Sequence, residues 1–291
     1  MIRDLTRPNQ PVIGVFLGGK DLKAGRISND KVEQYLEVEI DNTASEEIVL
    51  NQLIDAISQL FTPDIAGIGI GVPSLVDVNK GIVYNVEHIP SWRTVHLGEL
   101  LRTHFKTGVY VNNDANCLAI GEKYYGKGTK YRNMAGIVAG IGLGAGIIID
   151  NGLYSGSNCG AGEFGYIPYK DRNFEYYCTT GYFEIKYGIK SKTLLSRAGK
   201  QDKIALAILE QFGFDFANFI MAVMFSVDPE LIVIGGPIAS FFPYFEESLW
   251  KTLNSFPFEK SVENLKIEVS SDPNIEVLGA AALYFDAQRK N

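Results

Sequence analysis

The chain has 291 residues and a mass of 32.1 kDa, long enough for two ordinary domains or one large one. Its 46% hydrophobic and 21% charged residues are the balance of a soluble globular protein and exclude a disordered chain. A formal charge of −7 and a pI near 5.1 argue against a nucleic-acid duplex as the main partner.

The longest uncharged stretch, Asn133–Ile149, is 17 residues with five glycines, too short and too glycine-rich for a membrane span. No basic-then-apolar leader opens the chain, so a cytoplasmic location is expected. Cys117, Cys159 and Cys178 are widely spaced and odd in number, which disfavours a disulfide framework. His88, His96 and His104 lack the spacing of a zinc-binding helix.

In chain order, Pro11 to Leu17 is apolar, Gly18-Gly19 makes a turn, and Leu22 to Ile27 returns. From Val32 to Ile40, apolar and acidic residues alternate with the period of a half-buried strand. These three runs predict an antiparallel meander. Thr43-x-x-Glu46 reads as a capping box ahead of a helix with apolar residues at 49, 50, 53, 54, 57 and 60. A strand over Ile65 to Val72, a helix over Gly98 to Phe105 and a strand over Gly108 to Asn112 follow.

The second half repeats the plan. Ala135 to Ile141 and Gly146 to Ile149 are strands about a glycine turn, and Asn151-Gly152 signals a hairpin into Leu153-Tyr154. Helical patterns cover Thr180 to Tyr187 and Asp202 to Phe225. Leu231 to Ile234 is a buried strand, ended by Gly235-Gly236-Pro237. Another helix, a strand over Leu265 to Ser270 and a helix over Glu276 to Gln288 complete the chain. Two β-β-β-α-β-α units in tandem predict a duplicated α/β fold with a ligand cleft between lobes 1–116 and 117–275. The C-terminal helix, within 276–291, is expected to pack back on the first lobe.

Ten of the 30 glycines lie between Gly136 and Gly165, densest in Gly140-Ile141-Gly142-Leu143-Gly144-Ala145-Gly146. Alternating glycines remove side chains, so backbone N–H groups can approach an anion such as a phosphate. A tight corner passed closely by another backbone is the plain structural alternative. A dinucleotide fold is excluded, because Ile147-Ile148-Ile149 continues as a strand where that fold begins a helix. Gly18-Gly19 holds the matching place in the first half. Asn113-Asp114 follows directly on a strand and opens a helix. Asp114 is either a simple N-cap or a carboxylate placed to accept a proton from an attacking hydroxyl.

These segments together resemble the ROK family of repressors and sugar kinases, a branch of the actin-like ATPase (ribonuclease H-like) fold. The resemblance is carried by GIGIGVPSLVD (67–77), VYVNNDANCLAIGE (109–122), GIGLGAG (140–146), GAGEFGY (160–166) and LIVIGG (231–236), and spans about residues 12 to 285. It implies an ATP-dependent carbohydrate kinase acting on a hexose or amino sugar with Mg-ATP. Asp114 is then the general base, and Asn113, Glu163 and Glu184 are sugar ligands. Gly18, Gly19, Gly142 and Gly144 lie at the phosphates, and Gly235 and Gly236 border the adenosine pocket. Trp92 matches a family tryptophan and is expected to pack. A homodimer is also implied.

Departures from the family pattern are specific. Active relatives begin D-x-G-G-T, whereas this chain has Phe16-Leu17-Gly18-Gly19-Lys20, losing the Asp that helps place hydrated magnesium and the Thr that donates to a phosphate. Lys20 can lend charge to a phosphate but cannot hold Mg²⁺. Asp21 is a possible substitute for the lost Asp, although strand alternation points it away from Lys20. Ile141 replaces a common Thr in the second turn. The family's zinc histidine is Tyr166, and Glu175, Tyr177 and Tyr182 fall at the thiolate positions, so no zinc is expected and aromatic packing takes its place. The Tyr166 phenol can still hydrogen-bond a sugar, and His88 lies near an asparagine of the sugar end, so both are expected among the sugar ligands. A sugar-binding protein that has lost catalysis is therefore the alternative. The family's repressor role is disfavoured, because the first strand starts about ten residues in and leaves no room for a helix-turn-helix.

Overall fold

The computed structural model describes residues 10–157 and 159–290. Residues 1–9, 158 and 291, which fall within the expected lobes, lie outside the described residues. The chain divides into two compact units. Unit 1 runs through Thr129 and takes in Ser155–Gly160 and the chain from Asp272 onward, and unit 2 is Lys130–Tyr154 with Ala161–Ser271.

Unit 1 opens with β1 (Val12–Leu17), β2 (Asp21–Ser28) and β3 (Lys31–Glu39), the expected meander. Then come α1 (Glu46–Ser58), β4 (Gly67–Val72), β5 (Leu75–Asp77), β6 (Ile82–Tyr84), β7 (Thr94–Val95), α2 (Leu97–Phe105), β8 (Gly108–Asn113) and α3 (Asp114–Tyr125). The main sheet has the order β3-β2-β1-β4-β8, antiparallel in the meander and parallel from β1 to β8. β5, β6 and β7 form a small separate sheet. Trp92 is fully buried in this unit, its indole N–H donating to the Glu46 carbonyl at 3.3 Å.

Unit 2 contains β9 (Met134–Ala139), β10 (Leu143–Ile149), β11 (Gly152–Tyr154), β12 (Pro168–Tyr169), β13 (Arg172–Asn173), α4 (Phe174–Tyr177), α5 (Thr180–Tyr187), α6 (Ser191–Gly199) and α7 (Lys203–Val227). β14 (Leu231–Gly235), α8 (Phe242–Leu253), α9 (Glu259–Asn264) and β15 (Lys266–Val269) complete it. Its sheet has the order β11-β10-β9-β14-β15, again antiparallel and then parallel. The two halves thus share one strand order.

By length and composition α7 could cross a membrane. Its apolar side is instead the core of unit 2, where Phe212, Phe216 and Phe219 are fully buried. Its start is fixed by Asp202, whose carboxylate accepts the N–H groups of Ile204 and Ala205 and pairs with Arg197.

The last helix, α10 (Ile275–Lys290), follows β15 but belongs to unit 1, where it packs on α3, β1 and β4. The glycines of the first-half strands make this possible. A Cβ on Gly14 would lie 2.0 Å from the Val277 carbonyl oxygen, and one on Gly69 would lie 1.8 Å from that of Ala280. Helix α3 and helix α10 meet in the same way, because a Cβ on Gly279 would lie 1.9 Å from the Cys117 carbonyl oxygen. With α3 included, unit 1 runs past residue 116, where the repeated plan of elements placed the boundary.

Three local expectations shift. Helix α1 starts at Glu46 with Ser45 as its N-cap residue, and the Thr43 hydroxyl donates to Asp41 at 2.7 Å, so the capping box does not form. The β10–β11 turn is Asp150-Asn151, both at positive φ, with Gly152 already paired to Ile149. β9 stops at Ala139, leaving Gly140-Ile141-Gly142 as the turn before β10.

Candidate functional site

In unit 1, β8 ends in asparagines. Asn112 Oδ1 accepts from the Asn116 side chain at 2.8 Å and from the Asn113 N–H at 2.9 Å. Asn113 Oδ1 accepts the Asn116 N–H at 2.8 Å, so Asn113 is the N-cap of α3. Asp114 is therefore the first helical residue and not the cap, and its carboxylate accepts the Ala115 N–H at 2.8 Å. Desolvation pushes the Asp114 carboxyl up to about 6, with the negative charges of Glu87 and Glu276 adding to it against the stabilising N–H bond from Ala115. The residue keeps a partly exposed surface. A carboxylate raised this far is ionised at neutral pH and is a stronger base than an ordinary aspartate.

The first glycine turn joins β1 to β2 in the same unit. Phe16, in the place of the family's metal-placing aspartate, packs beside Gly71 and Cys117: a Cβ on Gly71 would lie 2.8 Å from Cys117 Sγ and 3.3 Å from the Phe16 ring. Nearby, Lys23, opposite Phe16 on β2, pairs with Glu276 at 3.0 Å. A phenyl ring supplies no oxygen to a hydrated magnesium ion, and the residues at this position do not fit one. The turn itself is covered by its own neighbours. The Gly18 N–H donates to the Asp21 carbonyl at 2.8 Å, and the Asp21 carboxylate lies over Gly18, 2.5 Å from where a Cβ would be. The His88 imidazole lies over Gly19, 2.9 Å from its Cβ position, and Lys20 is exposed. His88 and the first glycine turn, expected to serve sugar and phosphate respectively, are thus brought together.

In unit 2 the second glycine turn, Gly140–Gly142, leads into β10, which carries Gly144. Ile141 is 80% exposed at its tip. The Gly140 carbonyl accepts both the N–H and the hydroxyl of Thr180, at 2.8 and 2.9 Å. Gly235 pairs with Val138 across β14 and β9, and Pro237 lies 3.0 Å from a Cβ position on Gly140, so Gly235-Gly236 adjoins this turn. Gly236 has a φ of 77°, a conformation open to glycine.

Glu175 is the residue that sequence reasoning missed as a partner of this turn. Its Oε2 accepts the Leu143 N–H at 3.1 Å and lies 3.5 Å from a Cβ position on Gly142. Glu163 is half-buried, and its carboxyl is pushed up by desolvation and then by the charge of Glu175. Tyr166 is 68% exposed, and Glu184 is exposed on α5. The remaining zinc-module positions are engaged otherwise. The Tyr177 hydroxyl donates to Asp171, and the Tyr182 ring packs on Tyr176, Tyr177 and Tyr187. Below them Asp215, fully buried, accepts the Tyr169 hydroxyl at 2.9 Å and pairs with Lys170 at 2.5 Å.

The chain resembles known proteins over most of its length. The chain is 30% identical to a xylose repressor of Caldicellulosiruptor bescii over 86% of its own length and 71% of the repressor. It is 26% identical to a glucokinase of Halalkalibacterium halodurans over 78% of this chain and 80% of that one. Among solved structures, a ROK family glucokinase from Streptomyces griseus in complex with glucose and AMPPNP superposes with a TM-score of 0.74 at 22% identity, covering 94% of this chain and 98% of that one. The fold is the duplicated actin-like ATPase fold that the resemblance implied. The ROK family model matches residues 12–184 and 182–287, and the chain belongs to the ROK family.

Proposed function

We propose that the chain binds a hexose or amino sugar and that Asp114 takes the proton from a sugar hydroxyl while that hydroxyl receives the γ-phosphoryl group of ATP. The observation that carries this reading is the Asp114 carboxyl, held at about 6 at the end of β8 and the start of α3. An alcohol is a poor nucleophile until its proton has somewhere to go, and a desolvated carboxylate ionised near neutrality is suited to receive it. The H. halodurans and S. griseus glucokinases support the substrate class.

Asn113, His88, Glu163, Tyr166 and Glu184 are the proposed partners of sugar hydroxyls, whose directional hydrogen bonds distinguish epimers. Gly18, Gly19, Lys20, Gly142 and Gly144 are proposed for the phosphates, and Gly235 and Gly236 for the adenosine. No step is assigned to magnesium, because Phe16 gives it no ligand. Assembly as a homodimer is part of the proposal and is checked by light scattering of the purified chain.

A specific observation favours a second reading. Phe16 beside Gly71 and Cys117 suits a protein that recognises a sugar without transferring phosphate. Sugar-dependent ADP release, measured with Mg-ATP across a panel of hexoses and amino sugars, separates the two. The kinase reading expects release with at least one sugar and its loss in Asp114→Asn. Absence of turnover with every sugar, together with thermal stabilisation by a sugar alone, selects the second reading. Specific duplex binding at moderate salt would point instead to the repressor role.

A further inference from the structure

Both glycine turns already hold a negative charge from their own unit. In unit 2, Glu175 Oε2 takes the Leu143 N–H at 3.1 Å and reaches to 3.5 Å from the Cβ position on Gly142. In unit 1, the Asp21 carboxylate lies over Gly18, whose N–H is spent on the Asp21 carbonyl at 2.8 Å. The two carboxylates come from unrelated places, one from the strand leaving the turn and the other from a helix about thirty residues further on.

Glu175 is also held firmly. It sits on α4, whose N-cap is the Asn173 side chain bonded to the Tyr176 N–H at 3.0 Å. Phe174 on the same helix stacks on Tyr169 with ring centroids 4.5 Å apart, and Tyr177 meets Tyr169 edge-on. The aromatic packing that stands at the zinc-module positions therefore aims an acid at the turn.

A side-chain-free turn attracts anions through its backbone N–H groups, and a carboxylate and a phosphate oxygen compete for the same donors and the same space. We propose that Glu175 and Asp21 are internal competitors for the anion sites of the two glycine turns and hold down the affinity of this chain for nucleotide phosphates. Incoming phosphate must displace a charge of its own sign from a donor, or accept that charge alongside it. Neutralising either acid relieves the repulsion while leaving the turn intact, because glutamine keeps an oxygen for the Leu143 N–H. This inference rests on the glycine turns being phosphate sites, but not on Asp114 being a base.

The test is calorimetric titration of the full chain and of Glu175→Gln, Asp21→Asn and the double variant with ATP, and separately with adenosine. ATP is expected to bind on the order of tenfold tighter to Glu175→Gln, since the repulsion between the carboxylate and the phosphate is removed. A smaller gain is expected for Asp21→Asn, whose carboxylate takes no N–H of its turn. Adenosine affinity should not change, which ties the effect to the phosphates. Unchanged or weaker ATP binding in variants that melt like the parent overturns the inference, as does an equal gain for adenosine. Absence of sugar-dependent ADP release from the parent and the variants alike, with the ATP gain retained, would instead sink the kinase reading alone.

Discussion

The two units share a strand order and differ in what they bury. Unit 2 is built on rings: Phe183, Phe212, Phe216, Phe219 and Phe245 are fully buried and mutually packed. Unit 1 buries aliphatic residues through its sheet and, at the end of β8, an asparagine cluster of Asn112, Asn113 and Asn116 that leads into Asp114. The corresponding strand of unit 2, β15, ends without such a cluster, and the helix that follows it, α10, is packed into unit 1. Both helices that close the duplicated plan, α3 and α10, therefore lie in the same unit. The strand order is common to both units, while the asparagine cluster that leads into Asp114 belongs to unit 1.

The most severe way to break this asymmetry is Asp114→Asn. If the acid is the base, sugar-dependent ADP release falls by about 10²–10⁴-fold in a coupled assay. The parent rate should rise with pH through about 6 as the carboxyl ionises. Stability should move the other way. The folded-state pKa is raised from 3.8, so between about 4 and 6 the folded chain binds more protons than the unfolded one and loses stability as pH rises. Asp114→Asn should therefore melt higher than the parent above pH 6 and gain nothing below pH 4. Equal melting temperatures at both extremes would show that the acid is not desolvated.

Gly279→Ala attacks the packing of α10 on α3. Its Cβ would sit 1.9 Å from the Cys117 carbonyl oxygen, a backbone atom that cannot swing away. The expected loss is on the order of 2–3 kcal/mol, read from denaturant midpoints. Gly160→Ala is the control, because nothing lies within 4 Å of its Cβ position. Similar losses in both variants would mean that α10 is not held this closely.

Much of this was legible in the residues. Strand alternation, the glycine turns and the Asn113-Asp114 junction are local signals, and local backbone rules read them. Glu175 was visible only as a missing thiolate, because its partner, the Leu143 N–H, is 32 residues away and no periodicity links them. The same holds for His88 over Gly19. The Thr43 cap failed for a different reason: Asp41, two residues earlier, takes its hydroxyl first. Short polar side chains at helix starts have several neighbouring partners, and a motif does not rank them.

In unit 2 the comparison is sharpened by Asp215→Ala. This carboxylate is fully buried beneath the tyrosine cluster and serves the Tyr169 hydroxyl and Lys170. Lys170 keeps 38% of its side chain exposed, so solvent takes over part of its charge when the acid is removed. The expected cost is roughly 2 kcal/mol, below that of stranding a wholly buried cation. Tyr169→Phe removes one donor while Lys170 remains, and should cost about half as much.

The smallest effect is expected at the ion pair that unit 1 carries near Phe16. Lys23 and Glu276 are 3.0 Å apart, with 27% and 39% of their side chains exposed. Partly solvated pairs of this kind contribute about 0–1 kcal/mol, and salt screens them. Lys23→Met keeps the apolar stem over the sheet and removes the ammonium. It should lower the denaturant midpoint only slightly at low salt and not at all near 1 M, while sugar-induced stabilisation stays as in the parent. A loss larger than that of Asp215→Ala would reverse the ranking of the two units and make the pair by Phe16, rather than the tyrosine cluster, the costlier polar contact to break.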